Sequence, residues 1–293
     1  MSFANVAALG NISEQGKFLT FRKVPAVVTV AGSWYDYSMA PGNPAPQYYA
    51  AAPLTAQVLA RSTDGGLHHG ANVSPSKKYL RKITAMSVAA AGVPQRVYLL
   101  DYLMFYPFVD MGTTDAQAMT NTQVLTRSTD GDGVQMMAVL VAPHGLSGDS
   151  FLVNYTNSDG VAGRVTPLHT MNTSVAVNGT LLPTQQSGAR RFGPFMALQG
   201  TDSGVRSIES VTCTAGTDVG LFTMVLVKPL AEFTIRGIDA PTEKDFYLQS
   251  GGKLPLIEDD AYVNLIGCPS GSRTGVPLLG GLAGVNRMAR EIA

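Results

Sequence analysis

Tyr79 to Met111 reads YLRKITAMSVAAAGVPQRVYLLDYLMFYPFVDM. Its runs KITAMSV from Lys82 and RVYLLDYL from Arg96 are rich in β-branched and aromatic residues. A Gly- and Pro-containing break divides them, which is how two antiparallel strands look in sequence. The same texture recurs on either side. Lys23 to Val30 (KVPAVVTV), Val134 to Val141 (VQMMAVLV), Phe151 to Tyr155 (FLVNY), Thr173 to Val177, Ser207 to Thr212 and Leu221 to Val227 are set apart by Gly, Pro, Asn and Asp clusters. Runs of this length and punctuation predict antiparallel sheets. MMAVLV is apolar at every position, as suits a central strand of a sandwich or one covered by a partner subunit. Helical spacing is confined to DAQAM from Asp115 and to the C-terminal GGLAGVNRMAREIA, where Leu282, Val285, Met288 and Ala289 recur. The expected class is all-β: tandem antiparallel β-sandwich, jelly-roll-like domains.

The opening stretch has a counterpart. Gly204 to Ile235 reads GVRSIESVTCTAGTDVGLFTMVLVKPLAEFTI, aligning Arg81 with Arg206, Ile83 with Ile208, Val88 with Cys213 and Pro107 with Pro229. Matching AVVTVAG at Ala26 to AVLVAP at Ala138 as well predicts two related β domains in tandem, 1–119 and 120–238, with loops grown between duplicated strands. A shorter repeat, VLARSTDGG from Val58 and VLTRSTDGD from Val124, fits neither offset and marks a repeated turn. From 239 to 293 the text is dense in Pro and Gly with isolated apolar patches. This reads as an extended C-terminal arm that either wraps its own domains or reaches a neighbouring subunit. An apolar-studded arm is costly to leave in water, which favours an oligomer.

Composition narrows the function. The 293 residues carry 21 Lys+Arg against 21 Asp+Glu, with 45% hydrophobic and 14% charged. A neutral, charge-poor chain has no basic excess for phosphates or an anionic membrane, so neither direct nucleic-acid binding nor membrane binding is expected. Cys213 and Cys268, the two cysteines, are too few for a disulfide framework or a four-ligand zinc site and read as buried hydrophobes. With neither a signal-peptide pattern nor an eighteen-residue apolar run, the chain is expected to be made in a cytoplasm and to stay soluble. The Asn-x-Ser/Thr triplets at Asn11, Asn72, Asn154, Asn172 and Asn178 are then loop vocabulary.

Catalysis needs convergent titratable groups, and few are in evidence. The histidines are His68, His69, His144 and His169. Adjacent His68 and His69 point to opposite faces of a strand and suit a solvated loop better than a metal. His144 has Ser147 and Asp149 nearby, without the Gly-x-Ser-x-Gly elbow of a hydrolase. Glu258, Asp259 and Asp260 read as a hydrated turn, though a glycosidase would need such carboxylates. Asp130 and Asp132 begin like a calcium loop but lack its closing Glu, so a hairpin turn is expected. No phosphate-cradling glycine motif occurs. The reading is non-enzymatic, with no catalytic, metal or cofactor residues and no cofactor.

Aromatic clusters are the better signal. Trp34, Tyr35, Tyr37, Tyr48 and Tyr49 flank the Pro-rich bend SMAPGNPAPQ, and Tyr106 and Phe108 surround Pro107. Such residues suit sandwich ends, subunit contacts and carbohydrate platforms alike; these seven are the candidate interface.

GSWYDYSMAPGNPAPQYYAAAPL from Gly32, DYLMFYPFVDM from Asp101, GVQMMAVLVAP from Gly133, NYTNSDGVAGRVTP from Asn154, SGVRSIESVT from Ser203 and VLVKPLAEFTIR from Val225 together resemble a family of tailed-bacteriophage virion proteins encoded near head genes. The resemblance spans most of residues 25–266. It implies a virion structural protein, a capsid decoration or cement protein on the outer shell. Its partners would be the major capsid protein and itself, as a homotrimer, with assembly in the bacterial host cytoplasm. The family has no active-site residues to carry over. Two alternatives remain: a neck, tail or baseplate component, and a surface carbohydrate-binding or carbohydrate-cleaving module using the Trp34 to Tyr49 aromatics and Glu258 to Asp260.

Overall fold

The computed structural model describes residues 17–88, 90, 92–173, 177–184, 193–249 and 254–287. Its strands are β1 (Lys17–Lys23), β2 (Tyr35–Asp36), β3 (Gly42–Asn43), β4 (Gln57–Val58), β5 (Lys77–Ser87), β6 (Gln95–Asp110), β7 (Gln117–Ala118), β8 (Gln135–Ala142), β9 (Ser150–Asn157), β10 (Arg164–Val165), β11 (His169–Thr170), β12 (Leu181–Leu182), β13 (Val205–Cys213), β14 (Leu221–Ile235), β15 (Thr242–Asp245), β16 (Leu256–Ile257), β17 (Tyr262–Pro269) and β18 (Leu278–Arg287). The helices described are single turns, Tyr37–Met39, Arg61–Asp64 and Phe246–Gln249. The protein is an all-β antiparallel sandwich, as the strand text predicts.

A central sheet, β12-β8-β14-β6-β17-β2, with β4 added on β6, is built around the long pair β6 and β14. Its ends meet: Tyr35 bridges Thr180, the Asp36 N–H donates to Gly179 O at 2.7 Å, and the Leu181 N–H to Trp34 O at 2.9 Å. The sheet thereby curls almost into a barrel, whose inside is filled by Leu100, Tyr102, Phe105, Met137, Val139, Val225, Val227, Tyr262 and Ile266. Two smaller sheets pack outside it at opposite ends of the β6/β14 pair. The sheet β10-β9-β13-β7 covers Met104, Tyr106, Val109, Phe222, Met224 and Leu226; the sheet β15-β5-β18-β1-β3 covers Val97, Leu99, Ala231, Phe233 and Ile235. Both central strands are therefore apolar on both faces. Register shifts in the β6/β14 ladder near Leu103 and near Leu230 keep the pleat in phase with both outer cores.

The aligned stretches correspond in space. β5 leads from one outer sheet into the central sheet as β6, and β13 leads from the other as β14. Residues 125 apart share an environment: Leu100 with Val225 and Tyr102 with Val227 inside the barrel, Val97 with Phe222 and Leu99 with Met224 in the two outer cores. The division into 1–119 and 120–238, however, is crossed by the sheets. One lobe is continuous from β7 to β14, whereas the other joins strands near both chain ends, β1 to β6 with β15 to β18.

The segment after 239 is accordingly not an extended arm. Tyr262 and Ile266 face into the barrel while Val263 and Leu265 face the outer core, so β17 buries both faces and pairs with β6 over eight residues. Of the two possibilities in the sequence, this portion wraps its own lobes. The helix expected over GGLAGVNRMAREIA is instead β18 up to Arg287, and Met288 to Ala293 lie outside the described residues. Its glycines explain the difference. β18 is pressed between β1 and β5, and a Cβ on Gly280 would stand 2.2 Å from Thr84 O and 2.4 Å from the Phe21 ring. DAQAM likewise contributes β7, pairing with β13, rather than a helix. The strand expected from Lys23 to Val30 stops at Lys23, where Pro25 lacks the N–H to continue the ladder. Thr173 to Val177 falls mostly outside the described residues.

Candidate functional site

Five of the seven candidate interface aromatics lie inside the molecule. Tyr37, Tyr49 and Tyr106 have no exposed surface, and Trp34 and Tyr35 are buried; Phe108 is half-buried and Tyr48 is 58% exposed. A side chain used to fill its own chain's core is not offered to a partner, so as a surface the cluster reduces to Tyr48 and the edge of Phe108. Phe108 sits at φ +63° where β6 changes register, an uncommon conformation for an aromatic residue. The Tyr106 hydroxyl donates to Asn121 Oδ1 at 2.8 Å and accepts from the Ile208 N–H, tying β6 to the five-stranded sheet.

The bend from Trp34 to Tyr49 closes one end of the barrel around a buried carboxylate. Asp36 accepts from the hydroxyls of Tyr49 (2.5 Å) and Tyr102 (2.6 Å) and from the Ser38 N–H and Oγ (both 2.8 Å). Burial pushes its carboxyl above the ordinary range, against these donors. The same burial holds Lys23 down at about 8, while the negative charge of Asp36 supports its proton. Lys23 Nζ donates to Ala40 O and Pro44 O at 3.0 and 2.8 Å.

The remaining polar candidates hold loops. His69 accepts from Lys78 Nζ at Nδ1 (2.9 Å) and donates from Nε2 to Ala261 O (2.8 Å), so it is buried and not in a solvated loop. His144 Nδ1 accepts from the Leu146 N–H, and Asp218 lies 3.4 Å away. Ser147 Oγ donates to Thr217 O, and Asp149 receives Thr217 and Asp218, so these three residues form no nucleophile relay. Asp259 takes the N–H groups of Val73 and Ser74; Asp260 takes Ser62 and approaches Arg61 at 3.6 Å. Asp132 N–H closes on Asp130 Oδ1 in a side-chain turn of the loop before β8; the strands on either side, β7 and β8, pair with other strands, so this is not the expected hairpin. Among the described residues no group of three His, Cys, Asp or Glu is arranged to hold a metal, and no helix is long and apolar enough to cross a membrane.

Burial lowers His69 and His169 to about 4. Unfolded histidine titrates near 6.5, so the unfolded chain takes up protons first. The stability held by these neutral rings is therefore full above about pH 6.5 and is lost progressively as pH falls to about 4. Denaturation midpoints measured from pH 7.5 to 4 are expected to fall across this window, and the slope to shrink in His69→Gln.

Between the lobes a cleft of 620 Å³ opens onto the central sheet. One wall is apolar: Pro229, Leu230, Phe246, Leu254, Pro255 and Leu256. The other end carries Asp101, Ser128, Lys228 and Glu258. Asp101 and Arg127, both buried, pair through two guanidinium nitrogens at 2.9 and 3.0 Å; Arg127 also donates to Leu59 O and Tyr102 O. Lys228 Nζ is held by Asp132 O, and Glu258 accepts from Ser128 Oγ at 3.2 Å. The arrangement suits binding of a partly apolar segment; Asp101 is already saturated by Arg127 and is not free to act as a base. This cleft escaped the sequence reading. The signals available were a lone acid inside the apolar YLLDYLMF and the second RSTDG turn, which supplies Arg127 and Ser128.

No family model and no curated protein matches the chain. Among solved structures it is similar, at a TM-score of 0.18 and 9% identity over 93% of this chain and 80% of the other, to the infectious bursal disease virus VP2 subviral particle. A D431N mutant VP2 of the same virus, from T=1 particles, gives 0.17 and 10% over 93% and 78%. Likeness at this level carries no argument about fold or role.

Proposed function

We propose that this chain is a non-enzymatic structural component of a tailed-phage virion, acting as a capsid decoration or cement protein on the outer shell. The observation that carries the reading is the resemblance of six separate stretches, from Gly32 to Arg236, to virion proteins encoded near head genes. Its build is compatible with that role. Asp36, Asp101, Asp149 and Asp260 all serve to hold loops and strands, as a rigid particle component requires. Its partners are then the major capsid protein and further copies of itself, as a trimer, on the capsid surface. Selective binding to the expanded shell stabilises that state by mass action. The glycan-platform alternative keeps Tyr48 alone of the aromatics around the bend, because Trp34, Tyr35, Tyr37 and Tyr49 are buried.

Quantitative mass spectrometry of purified particles, with the main shell protein as internal standard, tests the proposal. Shell decoration predicts copies on the order of hundreds; about three to twelve would move the protein to a neck or tail ring. Absence from particles would overturn the virion reading altogether.

A further inference from the structure

We propose that the outer face of the sheet β15-β5-β18-β1-β3 is a two-fold contact between two copies of this chain, in which Arg22 of each copy meets the Lys82–Glu243 pair of the other. The inference is independent of the virion reading and rests on what this face presents. In β1, Leu19 and Phe21 point into the core, so Phe18, Thr20 and Arg22 stand on the far side of the sheet, Phe18 with 79% of its surface exposed. Arg22 is level with Leu279 of β18 and Met86 of β5, both half-buried; Thr20 is level with Gly281, Thr84 and Glu243. Val88 and Ile238 stand exposed at the margin. The lobe does not need these apolar groups to fold. The outer sheet of the other lobe turns Asn154, Thr156, Glu209, Ser210 and Thr212 outward, with Leu152 and Val165 toward its margins. An apolar patch on one of two like sheets marks a contact.

The charges select the partner. Arg22, exposed on the β1 flank, enters no ion pair among the described residues. On the opposite flank Glu243 pairs with Lys82 at 2.9 Å and keeps 52% of its side chain exposed. A face with a free cation on one flank and an open anion on the other is complementary to itself. Turning a second copy by a half-rotation about an axis parallel to the strands lays β1 over the partner's β15, and Leu279 over the partner's Met86. Arg22 then stands two residues, about 7 Å, along the strand from the opposing Glu243, within reach of a guanidinium. Four strands of this length present about 20 Å by 23 Å, so the pair buries about 900 Å² in all, the size of a reversible contact.

Sedimentation of the full chain from about 5 to 500 µM tests this, read as a doubling of whatever mass is present at the dilute end. Phe18→Asp leaves the core untouched and should weaken the doubling at least about tenfold. Arg22→Glu and Glu243→Lys each set like charges against one another and should weaken it about tenfold. An equimolar mixture of these two charge variants should restore it, because both cross-contacts then join opposite charges. A mass that never doubles, a doubling indifferent to Phe18→Asp, or a mixture no better than its parts would overturn the assignment.

Discussion

Replacing Arg127 by Met is expected to destabilise the fold by about 3–5 kcal/mol, the cost of leaving a buried carboxylate without its partner. Asp101 sits on the outer face of β6 between the two outer cores, where neither small sheet covers it. Arg127 reaches it from the loop before β8 and at the same time holds Leu59 O and Tyr102 O. One side chain thus closes the junction between the lobe built from the middle of the chain and the lobe that joins strands near its two ends. Asp101→Leu combined with Arg127→Met removes both charges and is expected to recover most of the loss. Chemical denaturation of the two single variants and the double variant measures the coupling. If Arg127→Met cost less than about 1 kcal/mol, the pair would be behaving as a surface ion pair and the junction would be held by other contacts.

What the sequence reveals and what it hides divide along physical lines. β6, β8, β13 and β14 are legible because β-branched and aromatic runs bounded by turn residues have few other solutions. The central position of β8 is legible too: MMAVLV is apolar at every position, and Met136 to Leu140 are buried whichever face they point to. β18 is hidden because Gly280 and Gly281 carry no side chain from which a period can be read; their value lies in the close approach of β5 and β1. The segment after 239 looks like an arm because Pro and Gly interrupt it, yet β17 needs only eight residues to enter a sheet. Aromatic residues are ambiguous by nature: the same Tyr that could greet a partner can donate its hydroxyl inward, as Tyr49 and Tyr102 do. Asp101 and Arg127 are 26 residues apart and meet only through the crossing of β6 and the loop before β8, a juxtaposition that no local pattern encodes.

Asp36→Ala is expected to rival the Arg127 substitution, at about 3–5 kcal/mol, for a different reason. The carboxylate is the common acceptor for two phenols, one N–H and one serine hydroxyl, all buried in the barrel end. Its removal strands several donors at once, each costing about 1–3 kcal/mol less whatever relaxation recovers. Tyr49→Phe or Tyr102→Phe removes one donor and leaves three, so each should cost about 1.5–3 kcal/mol. The pH dependence separates the charge from the hydrogen bonds. Burial raises the folded carboxyl above its unfolded value, so the folded state holds the proton more tightly. This contribution to stability is full below the unfolded value of about 3.9 and is lost as pH rises through the folded value. That sense is opposite to the effect of His69 and His169. Asp36→Asn abolishes the titration while keeping one acceptor oxygen, so its stability relative to the parent should improve with rising pH across that window. A pH-independent difference between Asn and Asp would show that the donors around Asp36 fully offset its burial, and the upward shift of its carboxyl would have to be withdrawn.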